Sequence, residues 1–337
     1  MRRGRSPNKN IPVNDFMLAG LLAFTILMGA CSQQSKAPSI DESTRQTVME
    51  WKAAIADEDS ERAIDLAKEL VGEPSAQPSD EALALCKREN IDPSYLTLDF
   101  NKYDYQYWRD AFFFQQKARE FTQDINTDDD MVRTLLVKVA DHINDREPEE
   151  QYILWPYTIW QIQQGVCDRS AWVLCELAYQ LGFDTMIIYL RDPGSNVSPH
   201  TVSELRKDGN VWLVDPYMNT MVEDKGVAQV AEDWLSKSRL WQNETRFHDA
   251  IENSIGWLPA YPQAYRPHNQ ELAGIVQAAL GDEAPRFGER PTIRLQRYLR
   301  YLDEQDKQYP YNPWFYPFRL LAGQATLDQQ RAQAASG

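Results

Sequence analysis

Residues 16–30 form an apolar run broken only by Gly and Thr, preceded by Arg2, Arg3, Arg5 and Lys9. The run is shorter than the ~20 residues a membrane-crossing helix needs, and it has the size and flanks of a secretory signal. Polar residues 31–42 predict a tether. Helical spacing begins after it. Residues 44–56 and 60–71 predict two short helices, the second with Ala63, Ile64, Leu66, Ala67 and Leu70 on one stripe. Two prolines within 73–78 separate them from a third helix near 80–89. A longer helix is expected over 105–121. Thr127 is the natural N-cap of the next, with Asp128, Asp129 and Asp130 in its first turn and an apolar stripe from Met131 to Ile143. Residues 147–160 read as an aromatic-rich loop. A helix is expected over 167–181, stopped by Gly182. The pattern then changes to strands at 185–191, 200–207 and 211–216, the last two joined by the two-residue hairpin signal Asp208-Gly209. The remaining third predicts helices near 227–238, 269–280 and 292–303, then a Pro-rich aromatic stretch at 309–318.

This order gives an α+β fold. Residues 43–102 are a helical N-terminal region, residues 103–225 a core in which a helix packs on a small antiparallel sheet, and residues 226–337 a mostly helical extension. At 43% hydrophobic residues the chain can bury a true core. Four Cys and four His over 337 residues build neither a disulfide scaffold nor a His-rich metal site, so no metal and no cofactor is expected. The formal charge is −15. Without residues 1–30 it becomes −18, because four basic groups and one acid leave with them. Clustered Lys and Arg are lacking, so nucleic acid is not an expected partner.

The chemistry concentrates between Gly165 and Asp215. Cys167 stands at the start of its helix, where unpaired N–H groups and the positive dipole end stabilise a thiolate. Gly165 permits close backbone approach just before it. Cys175 lies deep in the same helix and reads as core. With Asp208-Gly209 as the turn, opposed residues in the hairpin sum to 417. Val202 then faces Asp215, and His200 faces Tyr217. His200 and Asp215 become diagonal neighbours on one face, ~7–8 Å apart along the backbone, a span that an imidazole and a carboxylate can bridge. Such an acid orients a His toward a nucleophile. Gln161, Gln163 and Gln164 are nearby as oxyanion donors, as is the N–H of Cys167. His142 reads as a helix-end residue, and His248 and His268 as surface residues. Two aromatic clusters, Trp155, Tyr157 and Trp160 and the one within 309–318, read as packing. Only a Cys86–Cys175 disulfide would spare Cys167, and free thiols are expected.

Two resemblances give this pattern a context. Leu27-Met28-Gly29-Ala30-Cys31 resembles the lipobox of bacterial lipoproteins, in which the Cys becomes the acylated first residue. It implies a protein held on a bilayer through Cys31. Ser32 after it implies the outer membrane, on the periplasmic or surface face. Gly165-Val166-Cys167 with Ala171, then His200-Thr201-Val202-Ser203-Glu204, then Trp212-Leu213-Val214-Asp215-Pro216 resemble the transglutaminase-like superfamily of the papain-like fold. Val202 stands where that family often has Trp. The resemblance covers residues 104–225. It implies Cys167 as nucleophile, His200 as general base and acid, and Asp215 as the residue orienting His200. Glu204 is expected to be structural. The implied activity is cleavage or transfer at amide or peptide bonds, with hydrolysis favoured and an envelope peptide or protein as substrate. The alternative is a non-catalytic binding or scaffold module of the cell envelope that keeps the fold.

Overall fold

The computed structural model describes residues 40–72, 77–89, 91–146, 155–191, 200–227, 229–230, 245–250, 262–288 and 294–301. The segment read as a signal, Cys31, most of the stretch read as a tether, residues 231–238 and the aromatic stretch at 309–318 lie outside them. The chain is a mixed α/β protein. Helices α1 (Glu42–Ala56) and α2 (Ser60–Val71) start on Asp41 and Asp59, whose carboxylates accept the N–H groups of Thr44 and Arg62. Then follow α3 (Asp80–Glu89), α4 (Lys102–Thr122) and α5 (Asp128–His142). Asn101 and Asp104 form a reciprocal capping box at the start of α4. The Thr127 hydroxyl accepts from the Asp130 N–H at 3.2 Å, as its N-cap role requires.

The two-residue strands β1 (Asn144–Asp145) and β2 (Gln164–Gly165) pair in parallel and flank α6 (Pro156–Ile162). Part of the stretch read as a loop is therefore helix. Pro156 pre-sets its first turn, and Ile159 and Trp160 anchor it in the core. Its last carbonyls end under a neighbour: His142 Nε2, at the end of α5, donates to the Trp160 carbonyl at 2.9 Å and stacks on the Trp160 ring at 3.8 Å. Helix α7 (Cys167–Gln180) follows, then β3 (Asp184–Arg191), β4 (His200–Lys207), β5 (Asn210–Asp215) and β6 (Thr220–Glu223).

The hairpin register is the expected one. Lys207 pairs with Asn210 and Ser203 with Val214, across a turn in which Asp208 and Gly209 have φ of 51° and 87°. A six-stranded sheet runs β6-β5-β4-β3 and continues from β3 into two strands of the C-terminal third. Ser203, Leu205, Trp212 and Val214 share one face of the hairpin. Ser203 Oγ donates to the Ala171 carbonyl of α7 at 3.2 Å, which ties this face to the Cys-bearing helix. Lys207 donates to Asp128 at 2.7 Å and Trp212 Nε1 to Asp129 at 2.6 Å. The acidic first turn of α5 thus holds the hairpin as well as suiting its own helix dipole.

The C-terminal third departs from expectation. Helix α8 (Pro267–Leu280) is present, but residues 294–301, read as part of a helix, form strand β8 (Arg294–Tyr301). It pairs in parallel with β3 and antiparallel with β7 (Thr245–Ala250). The sequence RLQRYLRY carries apolar residues at both helical and alternate spacing, and the open backbone edge of β3 decides between them. The extension therefore completes the sheet.

One core gathers buried residues from α1, α2, α4 to α8 and β3 to β5. Trp51 of α1 meets Trp108 of α4 edge-on at 5.3 Å, Trp108 stacks on Phe287 at 5.2 Å, and Trp172, Leu272 and Val276 belong to the same buried cluster. His268, read as a surface residue, is instead buried against Phe100 and 3.6 Å from Asp104. A partner distant in sequence covers it. Cys86 sits in a small cluster with Ala82 and Leu96, Cys175 sits in the main core, and both are free thiols. Among the described residues no helix is long and apolar enough to cross a membrane.

Candidate active site

Cys167 is the first residue of α7. Val166, its N-cap, is extended and offers no side-chain cap, while Asp168 in the same first turn accepts the Arg169 N–H at 2.8 Å. Cys167 is partly exposed, as a nucleophile must be. Its approach is set by Gly165. A Cβ there would lie 2.9 Å from the Arg169 Cβ and 3.3 Å from Ile143 Cγ2. Gly165→Ala is therefore expected to destabilise the protein by about 1–3 kcal/mol, because the clash is with a backbone-fixed atom of α7. Urea unfolding measures it. A variant as stable as the parent would show that α7 can move away freely.

His200 opens β4 and Asp215 closes β5. His200 Nε2 donates to Asp215 Oδ2 at 2.6 Å, and both side chains are buried. Cys167 is close enough to the same imidazole to act on its pKa. Nε2 is committed to Asp215, so a bond from this ring to a thiol would use Nδ1. Burial alone would lower the His200 pKa. The Asp215 charge and hydrogen bond, together with Cys167, overcome this and raise it to about 10. The ring is thus an imidazolium at neutral pH.

Asp215 is itself held. Its Oδ1 accepts the Met218 N–H at 3.0 Å from within the turn 216–219, which closes through the left-handed Asn219. The same turn presents Tyr217. That ring meets His200 edge-on at 5.8 Å, and its hydroxyl donates to Asp145 Oδ2 at 2.8 Å. Neither Tyr217 nor Asp145 was singled out from the sequence. The signal for Tyr217 was there, because the hairpin register sets it opposite His200.

The remaining expected residues fall in different places. The Gln161 side chain is exposed and hydrogen-bonds Tyr157. Gln164 stays half-buried in β2, three residues before Cys167. Glu204 is buried and accepts from Arg206 Nε and the Val227 N–H, both at 2.9 Å, which is structural work. Cys175 is buried, and burial pushes its thiol up to about 12. Trp155 and Trp160 pack on Trp172 and on His142. Among the described residues no three His, Cys, Asp or Glu side chains are grouped to hold a metal ion.

The geometry thus brings together Cys167, His200 and Asp215 from one helix start and two paired strands. In comparisons with family models, with curated proteins and with solved structures, nothing matches this chain.

Proposed function

We propose that this chain is a thiol enzyme with a transglutaminase-like core, acting on amide or peptide bonds in the cell envelope and held to a bilayer through acylated Cys31. The observation that carries the chemistry is the buried 2.6 Å His200–Asp215 bond, with Cys167 close enough to the same imidazole to act on its pKa. A helix start and a neighbouring imidazolium are settings in which enzymes use a cysteine as nucleophile.

In the acylation step the Cys167 sulfur forms a bond to the substrate carbonyl carbon. The carbonyl oxygen takes the negative charge, beside the N–H of Cys167 and the Gln164 amide as candidate donors. The C–N bond then breaks as His200 gives its proton to the leaving amine. Water next attacks the thioester while His200 takes its proton. The C–S bond breaks, a carboxylic acid leaves, and the sulfur takes back its electron pair as thiolate. An amine in place of the water completes transfer by the same steps.

Alkylation tests the reading directly. At pH 6 iodoacetamide is expected to modify Cys167 about 30- to 100-fold faster than a free thiol, because a free thiol is almost wholly protonated there. Peptide mapping separates Cys167 from Cys86 and Cys175. A Cys167 that reacts at the free-thiol rate would leave a non-catalytic module as the better account.

A further inference from the structure

Tyr217 and Asp145 lie outside the triad, yet they join its two halves. Asp145 belongs to β1, which pairs with β2 so that Asp145 stands opposite Gly165, two residues before Cys167. Tyr217 belongs to the turn that follows Asp215, two residues after it, and that turn also binds Asp215 Oδ1 through the Met218 N–H. The Tyr217 hydroxyl crosses from one group to the other at 2.8 Å. Its pKa is pushed up to about 12, first by the bond to Asp145, then by burial and by the charges of Asp145, Cys167 and Asp215. The phenol therefore keeps its proton and stays a donor throughout the working pH range. Asp145 is exposed while Tyr217 is half-buried, so the bond reaches from the surface inward to the ring that flanks His200.

We infer that Tyr217 and Asp145 form a positioning latch, whose hydrogen bond fixes the segment carrying Cys167 against the turn carrying Asp215 and so sets the alignment of thiol and imidazole. The latch rests on the catalytic reading above and adds two positioning residues to it. Neither residue takes part in bond making. Both act through the distance between Cys167 and His200. The Tyr217 ring also meets the imidazole at 5.8 Å, in an edge-to-face arrangement.

The test is the alkylation rate of Cys167 at pH 6 in Tyr217→Phe, Asp145→Ala, the double variant and Asp145→Asn, with thermal unfolding of each recorded. Tyr217→Phe and Asp145→Ala are each expected to slow alkylation about 3- to 10-fold. The double variant is expected to be no slower than either single one, because both remove the same bond. Asp145→Asn recovers most of the rate, since its amide oxygen still accepts from the phenol. Asp145 is exposed, so its variants keep the core intact should Tyr217→Phe fail to fold. Parent-like rates in Tyr217→Phe and Asp145→Ala, or losses that add in the double variant, overturn the latch and leave the triad standing. A parent protein whose Cys167 reacts as a free thiol overturns the triad and the latch with it.

Discussion

Replacing His200 by Ala is expected to slow the pH 6 alkylation of Cys167 by about 30- to 100-fold, to the rate of an ordinary thiol. Only ~0.3% of a thiol with a pKa near 8.5 is ionised at that pH, and part of the gain from full ionisation is offset by the lower intrinsic nucleophilicity of a stabilised thiolate. The imidazolium supplies the ionisation, and it exists because Asp215 binds Nε2 at 2.6 Å inside the fold. Asp215→Asn should therefore fall between parent and His200→Ala. The same group writes itself into stability. Its folded pKa, about 10, lies above the unfolded value of about 6.5. The unfolded chain gives up this proton first, so the stabilisation is complete below pH 6.5 and is lost as pH rises through 10. Urea unfolding of the parent should weaken across that window, and His200→Ala should lack that slope. A His200→Ala protein that keeps both the fast alkylation and the slope would end the assignment of His200.

The hairpin made this site legible. A two-residue Asp-Gly turn leaves one register, and that register alone put His200 and Asp215 on one face. The position of Cys167 at a helix start was legible for a related reason, since the apolar stripe of α7 and Gly182 bounded the helix. What escaped was what distant parts of the chain decide. Strand β8 exists because β3 and β7 pair with it, and its own spacing suits either state. Helix α6 is only seven residues long, too short for its periodicity to stand out among aromatics. Asp145 entered the site through a two-residue parallel bridge that no local pattern announces. His268 is the second residue of α8, a place that in an isolated helix would be wet. Its burial is set by Asp104, far back in the sequence.

That same burial carries the largest expected effect on stability. Asp104 and Arg266 are both fully buried and form an ion pair. Asp104 Oδ1 also accepts from Asn269 at 2.6 Å and Oδ2 from the Asn101 N–H at 2.9 Å, while Arg266 donates to the carbonyls of Leu98 and Asp99 and lies over the Tyr95 ring. Asn269 in turn accepts from Trp108 Nε1 at 2.9 Å. The network fastens the start of α8 to the start of α4. Asp104→Ala removes the carboxylate and leaves a guanidinium buried without its counter-charge, a change that costs about 3–5 kcal/mol. At roughly 2–4 °C per kcal/mol for a domain of this size, the melting temperature should fall by about 6–20 °C. Removing both charges, in Asp104→Leu with Arg266→Met, should cost less than Asp104→Ala alone, because no buried charge is then stranded. Arg266→Met alone strands the carboxylate instead, and its loss should match that of Asp104→Ala. Folded Asp104→Ala protein should still alkylate Cys167 at the parent rate, since the network touches none of the triad. Unfolding curves for the three variants decide the matter. A loss below about 1 kcal/mol in Asp104→Ala would mean that water or a rearranged side chain replaces the carboxylate, and that the burial of Leu272 and Val276 in the core holds α8 in place.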